Sequence, residues 1–148
     1  MIEVSIDKQL TEELKRFLIL IGASAGTIHY FDPVENCLRL LAEHGLPARI
    51  SAKIKVLPPE KGLAGHSFQT KTTLYVSHIQ EDERLVPQAR TLPYAWSCAY
   101  YGRDVHNRET IIGVGFQTEP IDKSSLEDAL QEFLIGLPEA AASMDSTT

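Results

Sequence analysis

Histidine and cysteine have the widest chemistry of the residue types in this sequence, since they bind metals, transfer protons and act as nucleophiles. The five histidines are His29, His44, His66, His78 and His106. They are dispersed and lack the short ligand spacings of zinc sites. Cys37 and Cys98 also stand far apart, with no second thiol nearby. We therefore expect no metal, no cofactor and no disulfide framework, and two reduced thiols are typical of a cytoplasmic protein.

A glycine turn is the first candidate binding site. Gly62 and Gly65 frame a possible helix start, where free backbone N–H groups and the positive end of the helix dipole favour an anion or a carbonyl oxygen. Gly65, His66 and Ser67 are therefore candidate ligand-binding residues. The alternative is that the glycines serve only the geometry of the turn.

A predicted strand provides the second candidate site. Trp96, Cys98 and Tyr100 alternate with Ser97, Ala99 and Tyr101, so the bulkier side chains share one face of an extended chain. That face lines a ligand pocket if loops cover it. It belongs to an ordinary core if helices cover it.

Length and composition limit the classes of protein. A chain of 148 residues with 43% hydrophobic and 23% charged residues is typical of one folded domain, which we expect over residues 1–140, with a frayed tail at 141–148. The formal net charge of −6 disfavours nucleic acid. The apolar runs are far shorter than the ~20 residues of a spanning helix, so a membrane is not an expected partner either.

The opening helix carries more apolar surface than one packing face needs. Apolar residues recur at helical spacing from Leu10, and the last turn adds others around the helix. Phe17, Leu20 and Ile21 are therefore candidate contacts in a homodimer. A deeper core that covers these residues is the alternative.

Strand patterns fill the middle of the chain. Turn residues between Gly26–Phe31 and Cys37–Ala42 predict a hairpin, in which Leu38, Leu40 and Ala42 form one apolar face. Residues 47–61 are predicted to be a loop, because Pro58 and Pro59 exclude a regular helix there. A third strand is predicted at 72–76 and a second hairpin over 96–118.

A closing helix follows, with Ser124 and Glu127 in the spacing of a capping box. The order of elements indicates an α+β fold. We expect an antiparallel sheet with the terminal helices on one face and a lid of loops and short helices on the other.

Local strings in this order resemble the GAF domain family. The matching segments are Gly26–Asp32, Leu41–Leu46, Leu57–Gly65 with Phe68–Val76, Asp82–Leu85 and Ile111–Val114. The resemblance implies a GAF/PAS-like regulatory domain in which the lid encloses a small ligand and the terminal helices often form dimers. It implies no particular ligand, because the fold serves many functions.

The resemblance also identifies lid residues. Tyr75 stands where cyclic-nucleotide-binding members tend to have Asn, and His78 stands where many members have an Asp, so cyclic nucleotides are disfavoured. Both residues, together with Asp82, Arg84 and Tyr94, are candidate contacts to another ligand.

These observations predict a sensor domain of signal transduction for an unknown small molecule or anion, rather than an enzyme. One alternative is a ligand-free dimerisation module or a module that binds a signalling protein. A second alternative is a redox enzyme like the free methionine sulfoxide reductases of the same family, although no cysteine lies between Leu38 and Ser97.

Overall fold

The computed structural model describes residues 7–137. The predicted tail at 141–148 and the ends of the predicted domain at 1–140 lie outside that range. The elements in chain order are α1 (Lys8–Ile21), β1 (Ala25–Asp32), β2 (Cys37–His44), α2 (Ala48–Ile54), β3 (Val56–Leu57), α3 (Gly62–Thr70), β4 (Leu74–Val76), a 3₁₀ helix (Pro87–Thr91), β5 (Trp96–Arg103), β6 (Glu109–Phe116) and α4 (Lys123–Gly136).

Six strands form one antiparallel sheet in the order β3-β2-β1-β6-β5-β4. The strand β1 is central and pairs with β2 on one side and β6 on the other. Its pairing with β2 shifts register after Ile28, so that Ile28 lies opposite Ala42 while His29 lies opposite Leu40. The structure confirms the predicted α+β fold.

The register shift corrects one sequence prediction. Leu38 and Leu40 belong to the core on one face of the sheet, whereas Ala42 belongs to the core on the other face. An extra residue in β2 reverses the alternation of side chains, because the side-chain period of a strand is two. The three residues therefore do not share one face.

The terminal helices α1 and α4 cover one face of the sheet, which we call the helix face. Asp7 caps α1 by accepting hydrogen bonds from the amides of Gln9 and Leu10 at 2.9 and 3.1 Å. The rings of Phe17 and Phe133 stack between the helices with centroids 4.2 Å apart. This packing orders both helices against β1, β5 and β6.

The predicted dimer contacts differ in their exposure in the structure. Phe17 is buried in the stack with Phe133, and Ile21 is partly buried against the same core. Leu20 is 82% exposed and neighbouring Ile19 is 73% exposed. The deeper core therefore covers Phe17 and much of Ile21, and leaves the other two side chains in solvent.

The cap of α4 also differs from the prediction. Asp122 is the N-cap residue, and its carboxylate accepts a hydrogen bond from the amide of Ser125 at 3.1 Å. The helix thus begins before the predicted cap at Ser124. Glu127 is consequently free of the capping role and accepts a hydrogen bond from the hydroxyl of Tyr75 instead.

The second face of the sheet lies under α2, α3 and the segment 77–95, and we call this cover the lid. The prediction of a loop over 47–61 is wrong in its first half, because α2 forms there and buries Ile50 and Ile54. These two residues lie four positions apart and share one face of the short helix. Pro58 and Pro59 come after the end of α2 and therefore do not interrupt it.

Candidate functional site

A cavity of about 120 Å³ lies between the sheet and the lid. The strands β1, β5 and β6 form its floor, and α2, α3 and the 3₁₀ helix form its walls. Most of its lining is apolar, with Ile50, Leu63, Leu85 and Leu92 among the lid residues. Such a preformed apolar space with few polar groups is the usual form of a small-molecule site.

Two glycines on the floor allow close packing at this site. A Cβ atom at Gly113 would lie 2.6 Å from Oγ1 of Thr27, and one at Gly115 would lie 3.0 Å from Cδ2 of Tyr94. The missing side chains therefore give room to Thr27 and to the ring of Tyr94. Both of those residues line the cavity.

His29 is the most distinctive polar residue of the cavity. Its side chain lies on the lid face of β1 and is buried, and its Nε2 atom is 2.8 Å from the carbonyl oxygen of Ile54. A carbonyl oxygen can only accept, so Nε2 carries the proton and donates it. Nδ1 is buried and has no hydrogen-bond partner among residues 7–137.

Burial keeps this imidazole uncharged. Desolvation lowers the pKa of His29 to about 4, and the hydrogen bond to Ile54 opposes that change only in part. At neutral pH the ring is therefore a neutral tautomer with a lone pair on Nδ1. His29 thus brings to the cavity lining an acceptor that the described part of the chain leaves unused, and because Nδ1 itself is covered, a donor reaches it only when neighbouring side chains shift.

Two of the other polar side chains on the cavity wall, Tyr94 and Ser97, have partners. The hydroxyl of Tyr94 donates to the carbonyl oxygen of Gly45 at 3.0 Å, and that of Ser97 donates to the carbonyl oxygen of Val114 at 3.0 Å. Both donors are therefore engaged with the backbone. They therefore shape the cavity but do not offer a free donor to a ligand.

The N-terminus of α3 also reaches the cavity. Its first turn contributes Gly62, Leu63 and Ala64 to the lining. No side chain of the described residues caps this helix. The first amides of a helix lack partners within the helix, so this wall has the polarity that suits an acceptor atom.

The residues predicted from the glycine turn do not line the cavity. Gly65 packs so closely that a Cβ atom would lie 3.0 Å from the backbone of Glu60. Nδ1 of His66 lies 2.8 Å from the carbonyl oxygen of Gly62, and Ser67 donates to the carbonyl oxygen of Thr72 at 2.6 Å. All three are engaged in the structure of α3 and its surroundings.

The bulky face of β5 is turned toward the helices. Trp96 and Cys98 are buried in the core under α1 and α4, and Tyr100 packs against that core. The cavity reaches β5 at Cys98, but Trp96 and Tyr100 do not line it. Of the two interpretations of this strand, core on the helix face is the one that the structure supports.

Only some of the predicted lid residues line the cavity. Tyr94 lines the cavity, whereas His78 is exposed. Asp82 and Arg84 form an ion pair at 2.7 Å, and Nη2 of Arg84 donates to the carbonyl oxygen of Tyr75 at 2.9 Å. The guanidinium holds the pKa of Asp82 below its usual range. This pair fastens the lid to the edge of the sheet and lies outside the cavity lining.

Sequence reasoning missed His29 and Thr27 as members of the site. Both belong to the segment that resembles the first GAF strand, and in the sequence His29 is only one of five dispersed histidines. The alternation Thr27, His29, Phe31 puts all three on one side of β1. That signal was present, but only the pairing of β1 shows which side faces the lid.

The described part of the chain contains neither a metal-binding group of side chains nor a membrane-spanning helix. Within residues 7–137, no three His, Cys, Asp or Glu side chains come together as a metal-binding group. Over the same range, no helix is long and apolar enough to cross a bilayer.

Comparisons with known proteins identify the fold. No protein-family model and no curated protein sequence matches this chain. A solved GAF domain of a phosphoenolpyruvate-protein phosphotransferase from Coxiella burnetii superposes with a TM-score of 0.69 at 16% identity, over 85% of this chain and 76% of that one. A GAF domain/HD domain protein from Geobacter sulfurreducens gives 0.63 at 15% identity, over 85% and 87%.

An enzyme shares the same architecture. Free methionine-R-sulfoxide reductase from Neisseria meningitidis, solved with its substrate, superposes with a TM-score of 0.63 at 11% identity, over 94% of this chain and 79% of that one. Identities this low establish architecture and leave function open. The sheet order, the position of the terminal helices and these superpositions together show that this chain has the GAF fold.

Proposed function

We propose that this domain is a sensor that binds a small molecule between the sheet and the lid. The observation that carries the proposal is the cavity itself, which is preformed, largely apolar and equipped with an unused acceptor on His29. Unpartnered buried polar atoms are uncommon, and a ligand that satisfies one gains affinity from it. The free thiols Cys37 and Cys98 are consistent with a cytoplasmic location.

A chain of contacts connects the lid to the terminal helices. Arg84 of the lid donates to the backbone of Tyr75, and the side chain of Tyr75 donates to Glu127 of α4. A ligand that changes the position of the lid therefore acts on the edge strand β4 and through it on α4. We propose this route for the signal, because the backbone of Tyr75 is hydrogen-bonded to the lid and its side chain to α4.

A thermal-stability screen tests the proposal. Metabolites, nucleotides and small anions are added to the protein, and a ligand of the folded state raises the melting temperature with saturation. Ala89 lines the cavity and Ala48 is exposed on α2, so Ala89→Leu reduces the space while Ala48→Leu is a matched control.

The expected result is a ligand that stabilises the natural protein and Ala48→Leu but has lost affinity for Ala89→Leu. The sensor proposal fails if no compound binds with saturation. It also fails if every compound that binds does so equally well to Ala89→Leu, because such binding lies elsewhere.

A second candidate function is self-association through α1. Ile19 and Leu20 place two large apolar side chains in solvent next to the packed face of the helix, and the partner we propose is a second copy of this chain. Sedimentation equilibrium should show a dimer that Leu20→Glu weakens. Val34→Glu, at a 75% exposed position in the β1–β2 turn, is the matched control. A monomeric natural protein excludes this function.

We do not favour a thiol-dependent reductase. Cys98 is buried on the helix face, and burial raises the pKa of its thiol to about 12, so the nucleophilic thiolate is scarce at neutral pH. We therefore propose that Cys98 is a packing residue and that the domain is not an enzyme. Reduction of free methionine sulfoxide by the natural protein, abolished by Cys98→Ser, would overturn this proposal.

A further inference from the structure

The lining of the cavity restricts the chemistry of its ligand. None of the side chains that line it in the described part of the chain is Asp, Glu, Lys or Arg. A charged ligand would therefore lose its hydration and meet at most the partial positive charge at the N-terminus of α3, which is costly in an apolar space. An uncharged ligand avoids that cost.

Within this uncharged lining, Nδ1 of His29 has a defined role. The hydrogen bond from Nε2 to Ile54 holds the ring in one tautomer and one orientation, so the lone pair of Nδ1 is fixed as an acceptor. Tyr94 and Ser97 already donate their protons to backbone carbonyls and cannot satisfy it. The hydroxyl of Thr27 also lines the cavity without donating to this nitrogen, so a bound ligand is the source we assign to the missing donor.

We infer that the cavity takes a small uncharged molecule with an apolar body and one O–H or N–H group that donates to Nδ1 of His29. This inference rests on the proposed sensor function and specifies the class of its ligand. A hydrocarbon leaves the acceptor buried and unpaired, which is unfavourable. An anion without a donor meets the lone pair of a neutral ring, which is also unfavourable.

The volume limits the size of this ligand. Apolar cavities of about 150 Å³ accommodate a molecule the size of benzene. The cavity here, at about 120 Å³, is of the same order. Single-ring molecules with one small substituent are therefore suitable probes.

Phenol and toluene form a matched pair for the test, because they have the same ring and differ by a hydroxyl or a methyl group. In a purely apolar cavity toluene is preferred, since the hydroxyl would lose its hydrogen bonds to water. With Nδ1 as acceptor, we expect phenol to bind about tenfold more tightly than toluene by calorimetry. The preference should reverse in His29→Phe, which retains a ring and removes the acceptor.

Thr27 provides the control, because its hydroxyl lines the same cavity on the same face of β1. Thr27→Val removes that hydroxyl with little change of shape, and we expect it to retain the preference for phenol. Loss of the preference in Thr27→Val but not in His29→Phe would assign the hydrogen bond to Thr27 and overturn the inference.

A measurement on the natural protein covers the case in which His29→Phe does not fold, since that change leaves the carbonyl of Ile54 without its donor. The ¹⁵N resonance of the unprotonated Nδ1 should move upfield with phenol and remain in place with toluene. Toluene binding as tight as that of phenol, or an unchanged Nδ1 resonance, overturns the inference and leaves the sensor proposal intact. If neither molecule binds, the inference about the class of ligand fails, and the sensor proposal is decided separately by the thermal-stability screen.

Discussion

Acidification should destabilise this protein in a way that depends on one residue. The unfolded chain binds a proton at His29 with a pKa near 6.5, whereas the native state holds that pKa at about 4. The native pKa is the lower one, so the stabilisation is present above pH 6.5 and is lost as the pH falls toward 4. Between these values the unfolded state gains a proton that the native state does not accept.

The size of this effect follows from the two pKa values. At pH 5 most unfolded chains carry the proton and few native molecules do, which lowers the free energy of unfolding by about 2 kcal/mol relative to pH 7.5. That is a substantial part of the 5–15 kcal/mol that is typical of a domain, and roughly a thirtyfold change in the folding equilibrium.

Urea denaturation at several pH values between 7.5 and 5 measures the effect. His29→Gln is the reference, because glutamine does not titrate and its amide retains a donor for the carbonyl of Ile54. Carboxylates with lowered pKa values, among them Asp32 and Asp82, also make the protein less stable in acid, but their effect is the same in both proteins. The difference between the two curves therefore reports His29.

The expected difference is a loss of about 2 kcal/mol in the natural protein beyond that of His29→Gln. Parallel curves would show that His29 is hydrated or charged in the native state. In that case both the closed environment of Nδ1 and its role as a neutral acceptor would be refuted.

Three further predictions concern the packing around the site. Gly113→Ala should lower the free energy of unfolding by about 1–3 kcal/mol, because its Cβ would meet Oγ1 of Thr27 at 2.6 Å, and Thr27→Ala should recover part of that loss in urea denaturation. Tyr75→Phe should cost about 1 kcal/mol and show coupling with Glu127→Gln in a double-mutant cycle, whereas additive effects would disprove the contact between β4 and α4. Cys98 should react with a thiol reagent only as fast as the protein unfolds, and rapid modification of the native protein would contradict its burial.

The candidate site was only partly accessible to sequence reasoning. Of the predicted residues, Tyr94 and Cys98 line the cavity, but Gly65, Tyr75 and Trp96 lie elsewhere. Glycine turns and aromatic strands are common in cores as well as in sites, so residue type alone does not separate the two. His29 is an ordinary histidine until its surroundings remove water from it.

The sequence by itself determined the order and type of most elements. Helical periodicity in the first and last segments, together with strand patterns between them, was sufficient for an antiparallel sheet covered by terminal helices. The short helix α2 escaped prediction, because one buried pair, Ile50 and Ile54, is too little periodicity to recognise.

Only the tertiary structure decided which face of each strand meets the lid. Alternation divides a strand into two faces without naming their neighbours, and one extra residue in β2 exchanges those faces midway through its pairing with β1. Burial then changes the chemistry of what lies there, since the desolvated His29 becomes a neutral acceptor while Cys98, on the opposite side of the sheet, becomes an unreactive thiol. Pairing, register and desolvation are properties of segments brought together from distant parts of the chain, and no local pattern contains them.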